Sequence, residues 1–441
     1  MVRRRERPRR AGAARRARAR VDDATARVQH AWGRDELIYL VAPAGHPNYG
    51  DELIVRTWLR YLAQVRPQAT VVVDCHSPGQ AALLLRGDHP RALFTDTLWQ
   101  LTIYAAGELD LDSAVDGDGR AVDGPAPWEW VADAATRLGE APRLAEGVDL
   151  LASASTIHLV GGGYLNGIWA SQVSLPVAVA AVVRRTGARA VATGHGLVPF
   201  LAGARRDALL EAAAAFDVFD VRDEASLALL AGVPGVRRTG DDVWLGTALP
   251  GTGEGSGPRV ALCLQADQVD DFRYGDGVGV PALAGFARDT LDAWGVAGED
   301  VTVVEGIPGR DLEVATVLGD RLAGSRVVPF LDVWRYGLPV QHTWISTRFH
   351  PHLVAAAGGD SGVAVVPRPD YYGTKHASLI AAGSRWTVVG DSDGDAATPS
   401  LQRASIPVRP DAGGFPTVVR DGNVARKVEL AREIYPPRRL F

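Results

Sequence analysis

From Leu37 onward the chain alternates between short, nearly all-apolar runs and longer stretches rich in Ala, Leu and Arg at helical spacing. The runs are "LIYLVAPA" (37–44), "ATVVVDC" (69–75), "TIHLVGGG" (156–163), "ARAVATGHG" (188–196) and "FDVFDVRD" (216–223). Short runs of this kind predict parallel strands covered on both faces. Between them, "DELIVRTWLRYLAQV" and "SLPVAVAAVVRRTG" predict helices, the second stopped by Gly187. The alternation is a βαβ series and hence a doubly wound sheet.

The stretch "LPGTGEGSGP" (249–258) reads as a linker. A second series follows: "RVALCLQ" (259–265), "DVTVVEGI" (300–307), "SRVVPF" (325–330), "TWISTRFH" (343–350), "GVAVVPR" (362–368) and "RWTVVGD" (385–391). The predicted fold class is therefore α/β, with two Rossmann-like domains facing each other across a cleft. The expected boundaries are a basic tail at 1–34, a first domain at 35–250, a linker at 251–258, a second domain at 259–418 and a C-terminal helix and tail at 419–441. The segment "NVARKVELAREIYPP" is expected to pack against one domain or bridge the two.

Composition narrows the picture. A chain of 441 residues with 46% hydrophobic and 22% charged residues buries a large core. The net charge of −5 argues against general nucleic-acid binding. Cys75 and Cys263 are the only cysteines, which implies no disulfide framework and a reducing compartment. The first twenty residues, "MVRRRERPRRAGAARRARAR", cannot bury apolar surface and predict a disordered tail. No apolar segment of signal-peptide type follows the arginines, and no stretch reads as a membrane span. The expectation is a cytoplasmic protein, with transient contact at the inner membrane surface through the basic tail.

Candidate chemistry sits at the predicted strand ends, where doubly wound sheets bind ligands. After the first run, "GHPNYGDEL" offers Asn48 and Asp51, the latter either an N-cap or a ligand contact. It is not a dinucleotide fingerprint, and no P-loop is present. "GGGYLNGIW" offers Gly162 and Gly163 for close backbone approach, with Tyr164, Asn166 and Trp169 to meet a sugar. His195 closes the next run. Arg222 leaves a buried strand and needs an anionic partner, which Asp223 is poorly placed to be. In "STRFHPH", strand alternation would put Arg348 and His350 on one side. Lys375 follows the next strand; it and Lys427 are the only lysines. Guanidinium, ammonium and imidazole groups together suit a small, highly charged anion and a proton transfer. No metal cluster is expected.

The motifs "GHPNYGDEL", "GGGYLN", "GHGLVP", "VRDEAS", "GDDVWL", "STRFHPHLVAAAGG" and "YYGTK" occur in an order that resembles the polysaccharide pyruvyltransferase family, from about Leu37 to Gly383. The resemblance implies a GT-B-like architecture, with the acceptor on the first domain and phosphoenolpyruvate on the second. It implies transfer of the pyruvyl group of phosphoenolpyruvate to a sugar, giving a ketal and phosphate. Arg222, Arg348 and Lys375 then correspond to phosphoenolpyruvate ligands. His350 is the expected acid and Asp51 the expected base, with His195 second. Asn48, Gly162, Gly163, Tyr164, Asn166 and His195 are the expected acceptor contacts. The acceptor is a polymer, a lipid-linked unit or a free glycoside, and no cofactor is implied. His46 and Pro47 replace the usual glycine context, and His195 and Gln265 replace a Gln and an Arg that are commoner in the family. Two alternatives stand beside this reading. One is a nucleotide-sugar glycosyltransferase, for which Glu305 and Glu313 have a suitable spacing. The other is a non-catalytic binder of anionic glycans.

Overall fold

The computed structural model describes residues 36–107, 125–246, 259–390, 400–401 and 405–437. The expected basic tail and the expected linker at 251–258 lie outside these residues.

The first lobe is built on β1 (Leu37–Val41), β2 (Thr70–Asp74), β3 (Ala92–Thr95), β4 (Thr156–Leu159), β5 (Arg189–His195), β6 (Val218–Val221) and β7 (Val236–Arg238). These form one parallel sheet in the order β3-β2-β1-β4-β5-β6-β7. The second lobe uses β8 (Val260–Cys263), β11 (Val301–Val304), β12 (Arg326–Val328), β13 (Thr343–Ser346), β14 (Ser361–Val365) and β15 (Thr387–Val389), in the parallel order β12-β11-β8-β13-β14-β15. A small sheet of β9 (Arg273–Tyr274), β10 (Gly277–Val278) and β16 (Ser400–Leu401) is appended. Each of the eleven apolar runs holds a strand. The partly exposed edge strands β3 and β7 lack the all-apolar signature and carried no such signal.

Three expectations are corrected. The strand in "TWISTRFH" ends at Ser346, and Phe349–Ala357 is a helix with Arg348 at its N-cap. Ser346 Oγ accepts the Arg348 N–H (3.1 Å) and turns the chain. Pro351 sits in the first helical turn, where a missing N–H costs nothing. Arg348 and His350 are therefore not strand neighbours sharing a face. Second, Gly167–Thr186 is long and apolar enough to pass for a membrane span, with mean hydropathy 1.3. It is a turn followed by the helix Ser174–Thr186, whose apolar face packs into the core of the first lobe. Third, Asp223 does lie beside Arg222, at 3.6 Å, because the strand ends at Val221 and the extended alternation stops there.

The lobes share apolar core. Helix Tyr49–Val65 of the first lobe belongs to the same buried cluster as helices Phe330–Tyr336 and Phe349–Ala357 of the second. Arg56 stacks on Trp334 at 3.2 Å, and Tyr49 N–H donates to Gly306 O across the boundary (2.9 Å). The final helix, Thr417–Ile434, bridges both lobes. Asn423 donates to Ala382 O, whereas the buried Lys427 reaches Asp220 (2.7 Å) and Asp242 (3.0 Å).

Candidate active site

In both sheets the strand order reverses beside the first strand, between β1 and β4 and between β8 and β13. Loops leaving adjacent strands there diverge and open a crevice. The two crevices face each other and form a cavity of about 640 Å³. Asn48, Asp51, Gly163 and Arg222 line it from the first lobe; Arg348, His350 and Lys375 line it from the second.

Helix Tyr49–Val65 begins at this cavity. Asn48 Oδ1 accepts the Gly50 N–H (3.1 Å) and its Nδ2 donates to Asp51 Oδ2 (2.8 Å). Asn48 is thus the cap, and it holds Asp51 in place. Burial raises the Asp51 pKa, while His350, Lys375 and Arg222 pull it down. A carboxyl held between these influences can exchange a proton.

The imidazole of His350 lies against Gly50. A methyl group on Gly50 would fall 1.7 Å from Nδ1. The other ring nitrogen, Nε2, is 3.4 Å from Asp241 Oδ2 of the first lobe. Burial works against the Asp241 charge, but His350 and Arg222 hold its pKa down at about 2. Asp241 is the residue that sequence reasoning missed. It lies in the quoted "GDDVWL", where its Oδ1 accepts the Val243 N–H (3.0 Å) and looks like an ordinary turn cap. Its second oxygen faces His350.

Gly163 locates the cationic end. A methyl group there would lie 3.2 Å from Lys375 Nζ, 3.2 Å from Tyr371 Oη and 3.3 Å from an Arg222 terminal nitrogen. The two cations from opposite lobes thus flank one backbone point. Arg222 extends from the end of β6, 3.6 Å from Asp223 and 3.8 Å from Asp241, with its guanidinium over the Phe349 ring. Lys375 sits 3.4 Å above the Tyr371 ring. Burial, then Arg222, drive its pKa well below that of a free lysine.

Arg348 is already held by two carboxylates. Asp311 Oδ1 accepts from Nε (3.1 Å) and from a terminal nitrogen (2.6 Å). Asp267 Oδ1 accepts from that same terminal nitrogen at 2.6 Å.

Several expected acceptor contacts lie elsewhere. His195 is fully buried because β5 continues through it and turns its ring into the core, against Tyr164 and Phe219. Burial lowers its pKa to about 4, and Nε2 lies 3.1 Å from Leu159 O. It is out of the cleft, as neither acceptor contact nor base. Gly162 prolongs β4 by bridging to His195 and does not line the cavity. Asn166 is buried, capping the Ile168 N–H (2.9 Å) and donating to Gly163 O (2.8 Å). Tyr164 lines the cavity with its ring while its hydroxyl donates to Val160 O (2.7 Å). Trp169 and Gln172 line the cavity too. Glu305 is consumed by the backbone N–H groups of Gly309 (2.7 Å) and Phe330 (2.9 Å), and Glu313 is exposed on a helix surface. Among the described residues no group of three His, Cys, Asp or Glu side chains is placed to hold a metal.

Two doubly wound lobes closing on a cationic cleft define a GT-B-like fold. The family model for polysaccharide pyruvyl transferase matches residues 48–287, more than half of the chain, and the protein belongs to that family. It is accordingly a transferase with a sugar or polysaccharide acceptor. No curated protein matches the sequence. Similar solved structures include a putative UDP-N-acetylglucosamine 2-epimerase from Listeria monocytogenes, 11% identical, covering 90% of this chain and 87% of that one, with a TM-score of 0.47. The UDP-GlcNAc 2-epimerase of Methanocaldococcus jannaschii is 9% identical over 90% of this chain and 98% of that one, at a TM-score of 0.47. The spinosyn rhamnosyltransferase SpnG is 15% identical over 90% and 96%, at 0.44.

Proposed function

We propose that the protein transfers the pyruvyl group of phosphoenolpyruvate to two hydroxyls of a sugar, forming a pyruvate ketal and releasing phosphate. The observation that carries this reading is the convergence of Arg222, Lys375 and His350 on one cavity from both lobes, with Asp241 behind the imidazole.

Phosphoenolpyruvate presents a carboxylate and a phosphate on three carbons. Arg222 and Lys375 suit the phosphate and Arg348 the planar carboxylate. Asp241, 3.4 Å from Nε2 of His350, orients the ring, with Nδ1 beside Gly50. His350 protonates the methylene carbon, which becomes a methyl group and makes C2 electrophilic. A sugar hydroxyl attacks C2 while Asp51 accepts its proton. Phosphate then leaves into the cationic end, and a second hydroxyl closes the ketal. One hydroxyl proton replaces that given to carbon, and the other leaves with phosphate. The steps require neither an electron carrier nor a second cofactor. The acceptor is expected along Trp169 and Gln172. The reaction is assigned to the cytoplasm, where phosphoenolpyruvate is made, with the basic tail touching the membrane if the acceptor is lipid-linked.

The test is phosphate release from phosphoenolpyruvate across a panel of acceptor glycans. His350→Ala is expected to keep donor binding and lose about 10²–10⁴-fold in turnover. Turnover near the wild-type rate in that variant would remove the acid role from His350. Release that depends on a nucleotide sugar would replace the reading with a glycosyl transfer. Binding of anionic glycans with no phosphate release would leave a non-catalytic protein.

A further inference from the structure

The Asp267 contact raises a question of valence. A guanidinium has five N–H donors: one on Nε and two on each terminal nitrogen. Asp311 takes the side edge of Arg348, through Nε and one terminal nitrogen. Asp267 takes the end edge, at 2.6 Å from one terminal nitrogen and 3.5 Å from the other. What remains is a single unclaimed N–H, too little to grip a substrate carboxylate with two parallel bonds.

The two carboxylates are not equivalent. Asp311 is buried, and its other oxygen accepts the N–H groups of Gly306 and Ile307, both at 2.9 Å. It is fixed, and Arg348 is fixed by it. Asp267 lies at the cavity wall, and its side chain is 30% exposed. Its backbone O accepts from the Gln265 amide (2.7 Å), which anchors the main chain and leaves the carboxylate free to rotate. The loop is unusual there: the next residue, Gln268, has φ of 55°, a left-handed conformation that non-glycine residues seldom adopt.

We propose that Asp267 is a stand-in for the substrate carboxylate: it occupies the end edge of Arg348 in this structure and is displaced when phosphoenolpyruvate binds. The proposal rests on the phosphoenolpyruvate reading of the site. Exchange of one carboxylate for another keeps the end edge of Arg348 hydrogen-bonded throughout, while Asp311 holds the side edge. A ligand with no anionic group reaching the end edge of Arg348 cannot make the exchange, and this makes Asp267 a specificity-determining residue. Inorganic phosphate alone, drawn to the Arg222 and Lys375 end of the cavity, would leave Asp267 in place.

Titration calorimetry of the full chain with phosphoenolpyruvate, and separately with inorganic phosphate, tests it in wild type, Asp267→Asn and Asp267→Ala. The expected result is a donor Kd lowered by about three- to tenfold in both variants, because the competing charge is gone, with phosphate affinity unmoved. KM for the donor is expected to fall in parallel. A carboxylate that only steadied Arg348 would give the opposite, a raised donor Kd. Unchanged or weaker donor binding in both variants, or an equal gain for phosphate, overturns the proposal and leaves the pyruvyl-transfer reading standing. A wild-type chain that does not bind phosphoenolpyruvate overturns both.

Discussion

Gly50 and His350 meet across the two lobes so closely that a single methyl group on Gly50 would overlap the imidazole. The contact fixes where the ring stands relative to Asp51, one residue further along the same helix turn. Gly50→Ala is favourable to the helix by about 1 kcal/mol on propensity alone. The expected outcome is therefore a folded protein with its Tm nearly kept but turnover lowered by about 10²-fold, since the ring must move by an ångström or more. Steady-state kinetics beside a melting curve check this; wild-type turnover would show that the ring position is immaterial.

On the proposed reading, Lys375 sets the alkaline limb of the pH profile. Its pKa is depressed, first by burial and then by Arg222, so the ammonium is lost at a lower pH than in a free lysine. Above that pH the Arg222 and Lys375 end of the cavity loses one charge. kcat/KM, which reports the free enzyme, is expected to fall as pH rises through the depressed value. Lys375→Arg keeps its charge throughout and is expected to extend the plateau to higher pH, as a pH–rate profile would reveal.

Lys427 is the other lysine and has no access to the cavity. It is fully buried between Asp220 and Asp242, and Asp242 also accepts from Trp58 (2.8 Å) and Thr193 (2.7 Å). Lys427→Met would strand two buried carboxylates and detach the last helix from the first lobe. The expected cost is about 3–5 kcal/mol in denaturant unfolding. Adding Asp220→Asn should recover part of it, because one of the stranded charges is removed.

Asp74 makes stability pH-dependent away from the site. Burial pushes its carboxyl up from 3.8 to about 7, against the bonds from Leu98 N–H and the Tyr39 hydroxyl, both at 2.7 Å. In the folded state it keeps its proton up to about pH 7, while in the unfolded chain it loses it near 3.8. Stability contributed by this group is full below the unfolded value and is lost as pH rises through the folded one. Asp74→Asn is expected to raise Tm above pH 7 and to flatten the decline between. Melting curves across pH would refute this by showing equal slopes.

The local pattern carried the architecture. Eleven apolar runs hold eleven strands, because a strand covered on both faces must be apolar at every position and such runs are visible in one dimension. The strand ends also carried Arg222, Arg348, His350, Asp51 and Lys375, which all line one cavity. What the sequence could not show is which polar groups face that cavity. His195 and Asn166 stand in motifs beside it yet point into the core or cap a turn, and Asp241 resembles a cap but presents its second oxygen to His350. Side-chain direction at the end of a strand depends on where the strand stops, and that is set by hydrogen bonds such as Ser346 to Arg348. The pairings of His350 with Asp241, Arg348 with Asp267 and Lys427 with Asp220 join residues 81 to 207 positions apart. Only tertiary packing decides them: one lobe on the other for His350 and Asp241, β8 beside β13 within the second lobe for Arg348 and Asp267, and the last helix on the first lobe for Lys427 and Asp220, because charges that must be buried select partners by distance in space and not along the chain.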